Sequence, residues 1–436
     1  MYYYRFLFVS PFLTIIACQT DSGLSQARPL AVIRQQVSIN GSMTGSGPLS
    51  FGNAILLALR NNPGLDSLDP AMRAADGRIL QASLAPNPTL DSTIENVNGS
   101  GAYRGYNAAE SSIAISQLIE RGGKREARQG VQIAEKELVR AEYQIRRREI
   151  FTEVAQAFAQ ALATQEKIDL FSEFVALNES FLPEIEKRIE AGKSTSVERS
   201  RAKTAVTTAR LARMQAEREF KTARLRLAAT WGSVTPGFER VEGKLGDLTK
   251  QMDQDSLEKQ LYSHPSYRKE MSSLAKSSAE HRLAIANGKQ DITIKGGPKY
   301  FREGRDEIAL VVGFSIPLPF NDKNQGEIAA TGAQIEVAEK ERDAAYAILK
   351  AKLNAAFQTL AAARSVAETI RDELLPGARE AFDGVQEGYS KGRFGYLDLI
   401  EARRNLTEAS VQLLDAKAAY QEAAAEIAGL TAPLPN

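Results

Sequence analysis

The feature that most constrains this chain is that its second half repeats its first at an offset of 200 residues. Gly392 falls on Gly192 and Ala402 falls on Ala202, and the residues that follow stay in step. The matched residues are Val206, Ala209, Arg213, Ala216, Phe220, Ala223 and Leu227 with Leu406, Ala409, Leu413, Ala416, Tyr420, Ala423 and Ile427. This register indicates an internal duplication, so the fold contains two similar units.

The matched positions also form heptads, because larger residues recur every seven positions and alanines follow three positions later. This is the a/d spacing of a left-handed coiled coil. Strong helix formers dominate the segments of roughly 124–190 and 326–390. A continuous helix of about 65 residues would be about 100 Å long, which is too long for a compact globule. Pro183 and Pro376 predict a kink or a break late in each segment.

Each half also contains a segment with the texture of a β-hairpin, at about 88–117 and about 291–316. Between Glu307 and Ile316 every second residue is a large apolar one, and the residues between them are mostly small or polar. This two-residue period is typical of a strand with two different faces. Strands of about nine to eleven residues match the length of a tilted transmembrane barrel strand. A soluble hairpin that caps a helical bundle is the alternative. If these strands cross a membrane, four of them cannot close a barrel, so several chains must share one.

These features predict an α+β fold that is mainly α, with repeat 1 at 49–235 and repeat 2 at 250–430. The N-terminus is interpreted as an export signal at 1–17, because one cation precedes an apolar run too short to span a membrane. Its ending, Ile15-Ile16-Ala17-Cys18, resembles the lipobox of bacterial lipoproteins. That resemblance implies lipid attachment at Cys18 and a tether at 18–48; the alternative is an export signal with an incidental cysteine.

The composition excludes several classes of function. A net charge of +1 predicts no nucleic-acid partner. One cysteine and two histidines, His264 and His281, predict no metal site, and we interpret both histidines as surface residues. The sequence has no phosphate-binding glycine loop and no nucleophile elbow, so we expect neither an enzyme nor a cofactor.

Several strings together identify a family. LAPNPTLDSTIEN (84–96) and SQLIERGGKREAR (116–128) flank the first hairpin, and SIPLPFNDKNQGEI (315–328) follows the second. EAGKSTSVERSRA and GYSKGRFGYLDLIEA lie at the two helix-to-helix turns. In this order they resemble the TolC family of outer-membrane factors, most closely its CzcC-like branch that serves heavy-metal and cation efflux pumps. Leu118 departs from that branch, which usually has proline there.

The resemblance implies a homotrimer in the outer membrane. Three chains would contribute four strands each to a twelve-stranded β-barrel, which long helices would continue into the periplasm as an α-barrel. The trimer would be a passive exit duct, docked through a periplasmic adaptor to an inner-membrane pump of the resistance-nodulation-division type. Export of proteins by a type I system, or of drugs, is an alternative within this class. A periplasmic coiled-coil scaffold is an alternative outside it.

The resemblance also assigns roles at the turns. Tyr389 aligns with a residue of the closed-state network, and Asp398 and Glu401 align with acidic rings around the constriction. Acidic residues in a first helical turn also complement the helix dipole, which is the alternative for this pair. Phe394 stands where the family has its gating arginine. The residues expected to contact the adaptor at this exposed tip are Gly192, Val197, Gly392, Gly395, Tyr396 and Leu397.

Overall fold

The computed structural model describes residues 47–246, 248, 253–303 and 306–433. The predicted export signal, Cys18 and nearly all of the tether lie outside these residues. The elements are, in chain order, α1 (Phe51–Asn61), α2 (Leu68–Ser83), β1 (Thr89–Glu95), β2 (Glu110–Ile119), α3 (Lys124–Ser180), α4 (Leu182–Glu190), α5 (Ser196–Ala229), α6 (Gln254–Gln260), α7 (Pro265–Asn287), β3 (Ile292–Phe301), β4 (Glu307–Ser315), α8 (Gln325–Thr369), α9 (Leu375–Ser390) and α10 (Tyr396–Thr431). The prediction of a mainly helical chain with two β-hairpins is confirmed.

Both long helical segments change direction or hydrogen bonding where the prolines predict it. Phe181 separates α3 from α4, whose second residue is Pro183. In the second half a five-residue π-helical turn, Ile370–Leu374, joins α8 to α9, and Pro376 follows it. Proline lacks an N–H and crowds the preceding turn, so the regular α-helical pattern must break there. Within the described residues, none of the helices combines the length and apolar composition needed to cross a bilayer.

The helices pack side by side in a wall in which the predicted seams are buried. Leu406, Tyr420 and Ile427 are buried in α10, as are Val206 and Leu227 at the matching positions of α5. Towards the turns, α10 packs between α8–α9 and α3, and α5 covers the other side of α3. Towards the sheet, α3 packs between α2 and α7, and α7 packs on α8. The outermost helices of the wall are therefore α5 and α8–α9 near the turns, and α2 and α8 near the sheet.

The four strands form one antiparallel sheet in the order β1-β2-β3-β4. Pairing of β2 with β3 joins the hairpins of the two halves, for example through Ile115 opposite Gly296. One face of β4 exposes a continuous apolar row formed by Ile308, Leu310, Val312 and Phe314. Since β1 and β4 have one neighbour each within the chain, each leaves an edge of backbone groups unpaired.

Ion pairs connect the sheet to the helices at the point where β2 leads into α3. The Asp291 carboxylate accepts hydrogen bonds from the Arg121 backbone N–H at 2.9 Å and from Lys124 Nζ at 2.8 Å. Arg128 forms a second pair with Glu120, and the hydrogen bond from Arg128 lowers the pKa of that carboxyl. The Asp291 contacts bind the second hairpin to the start of α3, and the Arg128–Glu120 pair binds the end of the first hairpin to the same helix, so together they fix the sheet on the helical wall.

The interpretation of His264 as a surface residue is wrong. The side chain is only 7% exposed, and its Nδ1 accepts a hydrogen bond from the Ser266 N–H at 3.1 Å at the start of α7. Asn62, its counterpart in the first half, accepts in the same way from the Gly64 N–H at 2.8 Å. Burial, assisted by nearby Arg148 and another cation, lowers the His264 pKa to about 4. His264 therefore acts as a neutral capping group.

A backbone segment between the two halves binds across the middle of α3. Val241 forms a parallel β-bridge with Leu49. The Gln165 side chain hydrogen-bonds to the backbone of Val241 as a neighbouring strand would. Gln165 donates to the Val241 carbonyl at 3.0 Å and accepts from the Val241 N–H at 2.9 Å. This satisfies both backbone groups of a residue that is buried in the largest apolar cluster.

Candidate functional site

The helix-to-helix turns at the far end from the sheet share one geometry. Gly192 and Gly392 both adopt left-handed backbone angles, with φ of 70° and 74°. After each glycine, the next N–H reaches back five residues, from Lys193 to the Arg188 carbonyl at 2.8 Å and from Arg393 to the Gly388 carbonyl at 2.7 Å. This pattern is the Schellman motif, in which a glycine ends the helix without a Cβ penalty. We call the region formed by both turns and their adjoining helix ends the tip.

Asp398 has a structural role at the start of α10. Its Oδ2 accepts a hydrogen bond from the Gly395 N–H at 2.8 Å, so the carboxylate caps the helix. This contact agrees with the alternative that acidic residues here stabilise the helix N-terminus. Glu401, one turn later, is exposed and lies on the same face. The two predicted ring residues thus share a face, although Asp398 also holds the helix end.

Two tyrosines of the second turn form the apolar core of the tip. Tyr389 and Tyr396 are each 2% exposed, and their ring centroids are 5.9 Å apart. They pack in one cluster with Ile185 and Leu399. The expectation that Tyr396 is displayed at the surface for a partner is therefore wrong, because the residue points back into its own chain. Phe394, in the turn itself, remains exposed.

Arg188 of α4 binds this tyrosine cluster from the other half of the chain. Its Nη1 donates to the Tyr389 carbonyl at 2.8 Å, and its guanidinium lies 4.4 Å from the centroid of the Tyr389 ring. Burial raises the pKa of Tyr389 to about 12, so the phenol is neutral. Arg188 was not predictable from local sequence, because its partner is 201 residues away and no local pattern connects them.

Arg403 is a second arginine in the same core. It is 4% exposed, and its guanidinium lies 5.8 Å from the centroid of the Phe181 ring. Burial lowers the pKa of this guanidinium, and Tyr396 opposes that effect. In the sequence, the one indication that Arg403 is buried is that it directly follows Ala402, which occupies a buried heptad position.

Beside this core runs a groove of about 760 Å³. Its floor is formed by Phe171 and Phe174 of α3, and its banks are α5 and the first three turns of α10. Val197 and Leu397, which are 55% and 57% exposed, lie at its end nearest the turns. Of the residues predicted to contact an adaptor, these two therefore offer exposed apolar side chains.

The described residues contain no group of three or more His, Cys, Asp or Glu side chains that could hold a metal ion. The features that organise the chain are instead a sheet with two open edges, an apolar outer row and a wall of long helices that ends in tight turns. They define a subunit of a membrane duct.

Comparison with known proteins agrees with this class. A family model described as outer membrane efflux protein matches residues 54–233 and 272–432. The chain belongs to this family and is an efflux channel subunit of the outer membrane that extends into the periplasm.

Individual relatives cover most of the chain. The cobalt-zinc-cadmium resistance protein CzcC of Cupriavidus metallidurans is 29% identical over 382 residues, which are 88% of this chain and 90% of the relative. The nickel and cobalt resistance protein CnrC of the same organism is 26% identical and covers 67% of this chain and 69% of its own length. The outer membrane protein VceC of Vibrio cholerae has the same fold, with a TM-score of 0.68 at 17% identity over 87% of this chain and 95% of VceC.

Proposed function

We propose that three copies of this chain form a passive exit duct for heavy-metal or other cations. We infer the trimer because the sheet and the helical wall each have two outermost elements that lack a neighbour on one side within the described chain. In the sheet these elements are β1 and β4; in the wall they are α2 or α5 on one side and α8–α9 on the other. Head-to-tail contact of such edges generates a closed ring when the rotation between copies closes, and a three-fold rotation closes it with three copies. Three copies of the four-stranded sheet supply twelve strands.

The free face of α5 supports such a contact. Leu211, Met214 and Leu225 are exposed on the side of the helix that points away from α3. Leu211 and Leu225 fall on one heptad position, which Arg218 shares, and Met214 lies three residues after Leu211. These residues have the a/d spacing of a coiled-coil seam that Arg218 and Lys221 interrupt, and they have no partner within the described chain, so this face is suited to a helix of the next copy.

The cargo and partners are inferred from the relatives. CzcC and CnrC are named for resistance to cobalt, zinc, cadmium and nickel, so divalent cations are the proposed cargo. Because the duct is passive, the proteins that bind it determine which cargo enters it. We infer that these partners are a periplasmic adaptor and an inner-membrane pump of the resistance-nodulation-division type. Lipid on Cys18 would attach the N-terminus to the membrane.

The tip is the proposed gate and docking region. In a trimer, Asp398 and Glu401 would form two rings of three carboxylates, which favour cations. Tyr389 would hold the closed arrangement through its contact with Arg188. Val197 and Leu397, together with the glycine turns beside them, are the proposed contacts to the adaptor.

The function is tested with purified full-length protein and with cells that lack the gene. We expect heat-modifiable trimers in isolated outer membranes, ion conductance in planar bilayers, and loss of cobalt, zinc or cadmium tolerance in the deletion strain. A monomer that washes off the membrane would contradict the channel and favour the scaffold. If the protein conducts ions but the deletion strain keeps its metal tolerance and loses drug tolerance or protein secretion, the channel stands and the cargo is a drug or a protein instead of a metal cation.

A further inference from the structure

The groove at the tip differs from the rest of the wall in shape and lining. It extends from Val197 to Ala212 on α5, a fifteen-residue step that corresponds to about 22 Å. Apolar side chains line most of its surface, among them Phe171, Phe174 and Ile400. An apolar trough of this length accommodates about four turns of a helix, whereas a compact small molecule would leave most of it empty.

Charge in the groove is strongly one-sided. Arg201, Arg403 and Arg404 line it, against the single acid Glu408, which lies 3.6 Å from Arg404. Arg201 is exposed on the α5 bank. The groove therefore favours an occupant that carries negative charge.

Arg403 indicates where that negative charge would bind. Its Nη1 is buried and has no hydrogen-bond partner, and no carboxylate of the described residues forms an ion pair with this side chain. Tyr396 is hydrogen-bonded to Arg403 and the Phe181 ring lies beside its guanidinium, but neither is an acid, so the cost of desolvating this cation is only partly offset. A carboxylate entering the groove would satisfy this donor with a charge-assisted hydrogen bond.

We propose that the groove receives a helix of the periplasmic adaptor that presents apolar side chains at i, i+4 and i+7 and one carboxylate, which pairs with Arg403. This inference rests on the adaptor docking proposed above and adds the chemistry of the contact. Val197 and Leu397 lie at the end of the groove nearest the turns, where such a helix would enter. Arg201 on the opposite bank contacts the same carboxylate or its neighbour.

The test uses the full-length trimer in detergent and two synthetic helical peptides of about sixteen residues. Both carry leucines at i, i+4 and i+7, and they differ only in having Glu or Gln at the central position facing the groove. We expect the Glu peptide to bind about tenfold more tightly than the Gln peptide in fluorescence anisotropy titrations. Raising the salt concentration reduces this difference.

Variants assign the preference to the groove. Arg403→Gln and, separately, Arg201→Gln reduce the preference for the Glu peptide, and the exposed Arg201 change keeps the test valid if Arg403→Gln fails to fold. Lys203→Gln is the matched control, because Lys203 is the counterpart of Arg403 at the 200-residue offset, is exposed and does not line the groove. Equal affinity for both peptides, or a preference that persists in both arginine variants, overturns the inference.

Conductance separates this inference from the proposed channel function. The ion conductance of the wild-type protein and of the three variants is also measured in planar bilayers. If the wild-type protein conducts ions but shows no preference between the peptides, the groove chemistry is wrong and the duct stands. If the peptides are distinguished but the protein forms no channel, the proposed function fails while the carboxylate site in the groove remains.

Discussion

Arg188 is the contact at the tip whose removal has the most direct consequence. The change Arg188→Met keeps an unbranched apolar stem but removes the hydrogen bond to the Tyr389 carbonyl and the contact with the Tyr389 ring. A hydrogen bond from a charged donor contributes about 1.5–3 kcal/mol, and a cation–π contact contributes about 0.5–2 kcal/mol. Part of this is offset by the desolvation of the guanidinium, so we expect a net loss of about 2 kcal/mol.

Arg188 of α4 donates to a carbonyl near the end of α9, where Ile185 of α4 also packs in the Tyr389 cluster, so loss of the polar contact favours separation of the two helical hairpins. A change of about 2 kcal/mol shifts a two-state equilibrium about 30-fold. We therefore expect Arg188→Met channels to spend a much larger fraction of time open in single-channel recordings from planar bilayers.

The matched control is Arg199→Met. Arg199 also contacts α4, through an ion pair with Glu186 at 2.7 Å in which both side chains are more than a third exposed. Exposed pairs contribute about 0.5 kcal/mol, so this change should alter the open fraction little. An unchanged open fraction in Arg188→Met, or equal changes in both variants, would refute the role of Arg188.

Further predictions concern the sheet, the capped helix and the gate. Leu310→Arg, in the exposed apolar row, should cost about 2–4 kcal/mol in a membrane and reduce trimers in outer-membrane extracts, whereas Ala309→Arg on the opposite face should not. The folded-state pKa of His264, about 4, lies below the unfolded value near 6.5, so its stabilising effect is complete above pH 6.5 and is lost as the pH falls towards 4. At pH 5 the loss is about 2 kcal/mol, and His264→Asn should reduce the acid-induced decrease in Tm that the wild type shows. Asp398→Ala combined with Glu401→Ala should weaken cation selectivity and block by multivalent cations in bilayer recordings; unchanged reversal potentials would contradict the ring assignment.

The periodic parts of the fold were predictable, because local sequence determines them. Heptad spacing in α10 predicts a buried seam at Leu406 and Tyr420, and alternation around Val312 predicts a strand. Proline spacing locates both irregularities, but it does not distinguish the break at Phe181 from the π-helical turn before Pro376. That difference depends on the packing of neighbouring helices, which a single-sequence pattern does not contain.

The tip was less predictable, because its contacts join distant segments. A tyrosine beside a turn is usually interpreted as exposed, but Tyr396 is buried because Tyr389 and Arg403 complete a core around it. His264 was misjudged for a related reason. Its alignment with Asn62, a common N-terminal capping residue before proline, was the available signal for a capping role.

The duplication provides an internal comparison that sharpens these assignments. Where the halves share a residue, as at Gly192 and Gly392, the shared geometry belongs to the fold. Where they differ, one half has a residue with a specific contact that its counterpart does not make. The counterpart of Arg188 is Gly388, where a Cβ would lie 2.2 Å from the Phe394 ring, so glycine makes room for that aromatic turn residue.

The same comparison applies to the groove. Arg403 is buried, whereas its counterpart Lys203 is solvated on the surface of α5. Both positions follow a buried alanine in a helix that begins at the tip, so the backbone does not explain the difference. Burial of one cation and not the other follows from Tyr396 and Phe181, which enclose Arg403. The asymmetry between otherwise similar halves therefore lies in the aromatic residues around the second turn, which is where the gate and the docking groove meet.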